Sequence, residues 1–141
     1  MRTYYLFKIK DSINKTQVNE FNIYKTLDNI YSKRINEIES KKIILKTLDF
    51  INQNDYSLRF ERLYKEDDFY SNRNKTHSYF DYFNNEETKM YISNTFIKII
   101  TNKNIPTFLY DLHSIDNFFI CDFFNVDYFW LSEINRKSLV N

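Results

Sequence analysis

The sequence of 141 residues contains no glycine and no alanine, and it has a single proline. Backbone turns with a positive φ angle favour glycine, so here we expect them at Asn or Asp, which tolerate that region best among the remaining residues. Asn94, Asn104 and Asn125 are the candidates. The absence of glycine also excludes the P-loop, the dinucleotide-binding fingerprint and the glycine-flanked serine elbow, because each of these motifs needs glycine beside a phosphate or a nucleophile.

Length and composition predict one globular domain over residues 1–141. Hydrophobic residues make up 43% of the chain and charged residues 28%, which is close to the averages of folded domains and unlike disordered chains. No apolar run approaches the ~18 residues of a membrane helix, and the stretch from Met1 to Lys10 has no signal-peptide pattern. We therefore interpret the chain as a cytoplasmic protein with no membrane partner.

The first half of the chain predicts a strand followed by two helices and a second strand. Residues Thr3 to Lys10 are rich in aromatic and β-branched types, as expected of a strand. Apolar residues then recur at helical spacing, which predicts one helix from Phe21 to Tyr31 and another from Lys33 to Asn52. Alternation of apolar and polar residues from Tyr56 to Phe60 predicts a strand with one solvent-exposed face.

The second half of the chain predicts two hairpins on either side of a short helix. Residues Lys65 to Glu87 have no clean period, and we expect irregular structure there with short strands or a helical turn. A hairpin is predicted from Met90 to Thr101, turning at Ser93 and Asn94. Pro106 opens a predicted helix that ends near Ser114, and the run from Asn117 to Leu131 predicts a closing hairpin.

This order of elements predicts an α/β (α+β) fold. The hairpins require antiparallel pairs, whereas strands separated by helices permit some parallel pairing. We therefore expect one domain with a mixed, mostly antiparallel sheet packed against about three helices.

Candidate catalytic and metal-binding residues are few. The two histidines, His77 and His113, each have an acidic residue nearby, Asp81 and Asp111 respectively, but no spacing matches a known metal site. We interpret both histidines as partly exposed, on a loop and a surface helix. The single cysteine, Cys121, lies in an apolar run and is interpreted as a buried core residue. The sequence thus predicts no enzyme activity, no cofactor and no metal.

Nucleic-acid binding is the second function that the sequence permits. Aromatic residues make up 19% of the chain, and bases stack on such side chains. The net charge is only +1, and the one basic cluster of note is Lys41, Lys42 and Lys46, so the electrostatic attraction to phosphate is small. Direct binding of nucleic acid is not expected, but a small nucleic-acid-binding module of phage or mobile-element origin remains the alternative.

Protein binding agrees better with the composition, because Tyr, Phe and Trp are enriched among the residues that dominate protein interfaces. Many of these aromatic residues are also needed to fill the core of a chain that has no alanine. Aromatic content alone therefore does not decide between a binding surface and a core.

The two ends of the sequence carry a more specific pattern. Near the start, Tyr4-Tyr5 and Ile9-Lys10-Asp11 precede the predicted helix, and near the end stand Asp122-Phe123, Asn125, Tyr128-x-Trp130-Leu131 and the basic pair Arg136-Lys137. In these positions the chain resembles the sporulation inhibitor of replication family of low-GC Gram-positive bacteria. The resemblance implies a small α/β protein that binds the N-terminal domain of the replication initiator DnaA and restrains initiation at the chromosomal origin.

The resemblance also implies where the partner binds. In the family, the surface facing the initiator comes from just after the first strand and from the end of the second helix. The matching positions here are Ile13, Gln17, Thr47 and Phe50. The family has aromatic side chains at the first two of these positions, and of the four residues in this chain only Phe50 is aromatic.

Overall fold

The computed structural model describes residues 1–14 and 19–134. Within these ranges, seven strands, five helices and a terminal 3₁₀ turn follow each other along the chain. The strands are β1 (Arg2–Phe7), β2 (Tyr70–Arg73), β3 (Thr76–Asp81), β4 (Glu86–Ile92), β5 (Ile97–Thr101), β6 (Phe119–Asp122) and β7 (Asp127–Trp130). The helices are α1 (Asp11–Asn14), α2 (Glu20–Tyr31), α3 (Glu37–Thr47), α4 (Gln53–Leu63) and α5 (Thr107–His113), and the 3₁₀ turn is Leu131–Glu133.

The strands form one sheet in the order β2-β3-β4-β5-β1-β6-β7. Each ladder between these strands is antiparallel, so the predicted α+β fold with a mostly antiparallel sheet is confirmed. The parallel pairs that the helical connections permit do not occur among the described strands. Strand β1 lies inside the sheet, between β5 and β6. It therefore connects the part of the sheet formed by β2 to β5 with the β6–β7 hairpin.

Alternate residues of β1 enter two different cores, one on each face of the sheet. Tyr4 and Leu6 enter the larger core, whereas Phe7 enters the smaller one. The larger core receives Phe60 from α4 and Phe108 from α5. Full burial of each such apolar side chain stabilises the fold by about 1.5–3 kcal/mol.

The smaller core lies under α2 and is confined to one half of the sheet. Ile23, Tyr24 and Leu27 of α2 pack there against Phe7 of β1 and Cys121 of β6. With α4 and α5 on the opposite face, three of the five described helices supply buried apolar side chains to the cores, but α4 takes the place of the second predicted helix. On the α2 side, the half of the sheet formed by β2 to β5 contributes no strand residue to the described core.

Asparagine begins three of the helices. Asn19, Asn36 and Asn52 are the N-caps of α2, α3 and α4, and each side chain accepts a hydrogen bond from the backbone N–H three residues later. Such a cap satisfies an otherwise unpaired N–H and is worth about 1 kcal/mol. The abundant asparagine of this chain therefore fixes where helices start.

The strand predicted from Tyr56 to Phe60 is wrong, because these residues lie in α4. Phe60 is fully buried and Tyr56 packs against the same core, while Leu58 is exposed. Residues four apart share a helix face, so the apolar alternation of Tyr56, Leu58 and Phe60 fits a strand only by coincidence. The N-cap at Asn52, whose side chain accepts a hydrogen bond from the Asp55 N–H, favours a helix here.

The second predicted helix is real but shorter than expected. It spans α3 only, because the chain becomes extended at Leu48, where it pairs with Ile9. Leu48 and Ile51 of the predicted apolar stripe are buried from this extended segment, whereas Ile38 and Leu45 of the helix itself are exposed. The apolar pattern runs through two structural elements as if they were one.

The other predicted elements agree well with the structure. The first strand, the helix ending at Tyr31, both predicted hairpins and α5 are all present, with Pro106 at the N-cap of α5. The region expected to be irregular contains β2 and β3. Cys121 is buried as expected, and burial raises the pKa of its thiol.

The predicted positions of positive φ are wrong. Among the described residues, positive φ occurs at Lys33, Asn74, Lys75, Asn85 and Val126. Asn125 instead uses its side chain to bind Asp122, and the next residue, Val126, takes the left-handed conformation. Only two of these five residues, Asn74 and Asn85, are of the expected types, so most of the residue types differ from the prediction as well as the positions.

Candidate protein-binding surface

A short antiparallel bridge brings the two sequence segments of the expected partner surface together. Ile9 and Leu48 pair in this bridge. The Lys10 backbone N–H donates to the Thr47 carbonyl at 2.9 Å, and the Asp49 N–H donates to the Lys8 carbonyl at 2.8 Å. The residues after β1 therefore lie beside the end of α3, as the resemblance implies.

Ile13 lies in the short helix α1, directly after this bridge. The Ile13 N–H donates to the Lys10 carbonyl at 3.0 Å, which starts the helical turn. Its side chain is half-buried against the smaller core. Ile13 thus serves partly as a core residue and adds only part of its side chain to a surface.

Thr47 and Phe50 lie three residues apart but have opposite environments. Thr47 is only 8% exposed, whereas Phe50 is 59% exposed. A partner can reach the aromatic ring of Phe50 without any change in the protein. Thr47 contributes its backbone carbonyl, which accepts the hydrogen bond from the Lys10 N–H and so fixes Lys10 beside α3.

The backbone on both sides of Phe50 is fixed. Before it, Leu48 is buried and Asp49 binds Lys8; after it, Ile51 is buried and its N–H donates to the Asn94 carbonyl at 2.7 Å. Phe50, Asn52 and Asn94 line a shallow groove between the α3–α4 connection, the start of α4 and the β4–β5 turn. The ring of Phe50 therefore projects from a rigid position at the edge of a groove.

Two further apolar residues, which the sequence pattern assigns to a core stripe, extend this surface along α3. Ile38 and Leu45 are exposed and lie seven residues apart, on the same side of the helix. Lys10 Nζ donates to the Leu45 carbonyl at 2.5 Å, so Leu45 lies close to the end of β1. The sequence alone does not show that Ile38 and Leu45 are exposed. We refer to five residues together as the α3 surface: Ile13, Ile38, Leu45, Thr47 and Phe50.

The charges beside the α3 surface are largely balanced. Glu37 and Lys41 form an ion pair of 3.6 Å, and Glu39 and Lys42 one of 3.5 Å. Exposed pairs of this kind contribute well under 1 kcal/mol to stability. They nevertheless reduce the basic character of the lysine cluster on this helix.

Two predicted features lie outside the described residues. Gln17, the fourth expected partner-binding residue, is one of them, and the basic pair Arg136-Lys137 is the other. Their expected roles stay predictions.

The histidines are placed differently from the expectation. His77 is fully buried in β3, with Nδ1 at 2.5 Å from the Tyr70 hydroxyl and Nε2 at 3.3 Å from the Ser57 hydroxyl. His113 is exposed at the end of α5. The interpretation of His77 as partly exposed is therefore wrong, since strand β3 turns it into the larger core.

Neither histidine pairs with the acidic residue near it in sequence. Asp81 accepts hydrogen bonds from Phe83 and Asn84, and Asp111 accepts one from the Tyr64 hydroxyl. Within residues 1–14 and 19–134, no group of three or more His, Cys, Asp or Glu side chains is arranged to hold a metal ion. The helices in these ranges are also too short or too polar to cross a bilayer.

Comparison with models of known families finds no match for this sequence, and comparison with curated proteins finds none either. The resemblance to the sporulation inhibitor of replication family therefore depends on residues at the two ends of the chain and stays a prediction.

Proposed function

We propose that this chain is a protein-binding regulator that inhibits the initiation of DNA replication. Its α3 surface binds the N-terminal domain of the initiator DnaA and covers a part of that domain needed for assembly at the origin. The sequence resemblance at both ends of the chain supports this choice of partner. The side-by-side position of Lys10 and Thr47, which joins the two implied segments, agrees with it.

The exposed ring of Phe50 on a fixed backbone is the observation that carries the proposal. An aromatic residue held in its bound position loses little conformational entropy on binding, and that loss is a main cost of association. Aromatic anchors at the centre of an interface also contribute most of its affinity. Phe50 combines an exposed ring with a fixed backbone, and Ile38 and Leu45 are further exposed apolar side chains on α3.

Calorimetric titration with the purified N-terminal domain of the cognate DnaA tests the proposal. A typical interface covers about 800 Å² per partner. We expect binding by the intact chain, and we expect Phe50→Ala to weaken it by roughly 30-fold, the effect of losing an interface hot spot. Because Phe50 is exposed, the variant should unfold at nearly the same temperature as the original chain.

Phe124→Ala is the matched control. Phe124 is 92% exposed and lies at the other end of the sheet, in the turn after Asp122, which binds Arg2 at the start of β1. Its truncation removes the same side chain far from the α3 surface and should leave the affinity unchanged. The proposal fails if the intact chain does not bind the DnaA domain at tens of micromolar, or if both variants weaken binding equally.

A further inference from the structure

The half of the sheet formed by β2 to β5 has one face that no described helix covers. Along β4, Met90 is buried under α4 and α5, whereas its neighbour Lys89 is exposed on the opposite side. Phe80, Tyr91 and Ile100 point to the same side as Lys89 and belong to neither described core. We call this side of β2 to β5 the open face.

Cross-strand register places the side chains of the open face in rows. Arg73 is opposite Thr76, Thr76 is opposite Tyr91, and Tyr91 is opposite Lys98. Lys98 is in turn opposite Tyr5, and its ammonium lies 5.8 Å from the centre of the Tyr5 ring. With adjacent strands about 4.8 Å apart, this row is about 19 Å long and contains two cations, two aromatic rings and Thr76.

A second row runs parallel to the first. Ser78 is opposite Lys89, and Lys89 is opposite Ile100. Phe80 lies beyond this row, opposite Glu87. The open face therefore adds one further cation and one further ring to those of the first row.

The open face carries an excess of positive charge. It has three cations, Arg73, Lys89 and Lys98, and one carboxylate, Glu87, on a chain whose total charge is +1. None of the three cations forms an ion pair with a described residue. Lys41 on α3, in contrast, is paired with an acidic side chain. The three cations of the open face, unpaired among the described residues, lie on one side of the sheet, and a polyanion complements them.

We propose that the open face binds single-stranded nucleic acid. Such binding combines a basic surface that follows the phosphates with aromatic side chains on which bases stack, and an uncovered sheet is a common platform for it. Tyr91 and Phe80 supply the rings, and the three cations contact phosphates. The surface is polar between its rings, with Thr76 and Ser78 in the rows, which suits a solvated strand better than an apolar helix of a partner protein.

The residues of the open face come from four consecutive strands, and no local pattern in the sequence indicates this function. Arg73, Lys89 and Lys98 come from three different strands, and only the antiparallel register brings them to one side. The proposal goes beyond the binding of DnaA and uses a different surface. Its test uses the chain alone, so the two proposals fail independently.

Fluorescence anisotropy with a labelled oligothymidylate of about 16 nucleotides tests the proposal. At about 50 mM salt we expect saturable binding that weakens steeply as salt is raised. Lys89→Glu should weaken binding by tenfold or more and reduce the slope of log affinity against log salt by about 0.7 for each phosphate that is no longer neutralised. Tyr91→Ala should weaken binding roughly fivefold or more at an unchanged slope, and Tyr91→Phe should restore it.

Lys41→Glu is the matched control, because it makes the same charge change on the exposed surface of α3. It should leave affinity and salt slope nearly unchanged. The proposal is overturned by absence of binding at about 100 µM protein, the weak end of non-specific affinity. It is also overturned if Lys41→Glu has the effect of Lys89→Glu, or if a duplex of the same length binds as tightly as the single strand.

Discussion

Asp81 and Asp122 accept the same pair of hydrogen bonds, each from the asparagine three residues later in the chain. In both cases Oδ1 accepts from the backbone N–H of that asparagine at 3.1 Å and Oδ2 accepts from its Nδ2 at 2.7 Å. Each aspartate ends one strand of a hairpin, and the acidic residue five positions later begins the next. The chain thus reverses direction twice with one local design, Asp-aromatic-Phe-Asn-x-acid.

The residue marked x in this design has a left-handed backbone conformation, so its type affects the stability of each turn. It is Asn85 in the β3–β4 turn and Val126 in the β6–β7 turn, and both have φ of 53°. Left-handed backbone costs a β-branched residue more than it costs asparagine. We therefore expect Val126→Asn to raise the free energy of unfolding by about 1 kcal/mol and Asn85→Val to lower it by a similar amount. Chemical denaturation of both variants provides the measurement, and changes of the same sign would contradict this interpretation.

Lys33 ends α2 in a conformation that suits glycine. Its φ is 56°, its N–H donates to the Ile30 carbonyl at 3.2 Å, and the Arg34 N–H donates to the Asn29 carbonyl at 3.0 Å. This pair of bonds is the Schellman arrangement, in which glycine is the preferred residue at the left-handed position. We expect Lys33→Gly to stabilise the protein by about 0.5–1 kcal/mol, measured by urea denaturation.

Lys25→Gly is the control for this effect. Lys25 is exposed inside α2, where glycine should destabilise the protein by about 1 kcal/mol. If both substitutions destabilise equally, the left-handed strain at Lys33 is not significant.

The buried position of His77 predicts a dependence of stability on pH. Burial lowers the pKa of His77 below its ordinary value of 6.5, and the nearby Glu61 opposes this effect only in part. The unfolded chain therefore binds more protons than the folded one as pH falls below about 6.5. The stability contributed by neutral His77 is complete above that pH and is lost towards the lower folded pKa, with a slope of at most about 1.4 kcal/mol per pH unit.

His77→Gln should flatten this dependence in denaturation experiments between about pH 5 and pH 7. The variant should also be less stable throughout, because it loses the hydrogen bonds with Tyr70 and Ser57. His113→Gln, the same substitution at an exposed histidine, is the control for the change of side chain. An unaltered slope in His77→Gln would show that other groups cause the acid sensitivity.

The elements that sequence reasoning predicts well have a strong local signal. Strand β1, helix α2 and both hairpins combine a clear apolar period with polar turns, and all of them are present in the structure. Helix α4 is mistaken for a strand because three alternating residues outweigh the cap at Asn52, which is a single-residue signal. The second helix is predicted too long because the extended segment at Leu48 continues the apolar spacing of α3.

The candidate surfaces are harder to predict than the fold. Phe50 is exposed, as expected of a residue that faces a partner, but no local pattern indicates that Leu45 is exposed as well. Burial of Thr47 depends on its pairing with Lys10, a hydrogen bond between segments far apart in the chain. The open face depends on sheet register across several strands. Local patterns carry no information on such long-range pairing.

The two matched turns show how a hairpin can reverse direction without glycine. In each turn the aspartate accepts hydrogen bonds from residues of the same six-residue segment, and in the β3–β4 turn Asn102 also donates to the Asn85 carbonyl from outside that segment. Most tight hairpins depend on glycine to reverse direction. The aspartate and asparagine of each turn thus show protein engineers a way to reverse a hairpin without adding glycine, the most flexible residue, to the chain.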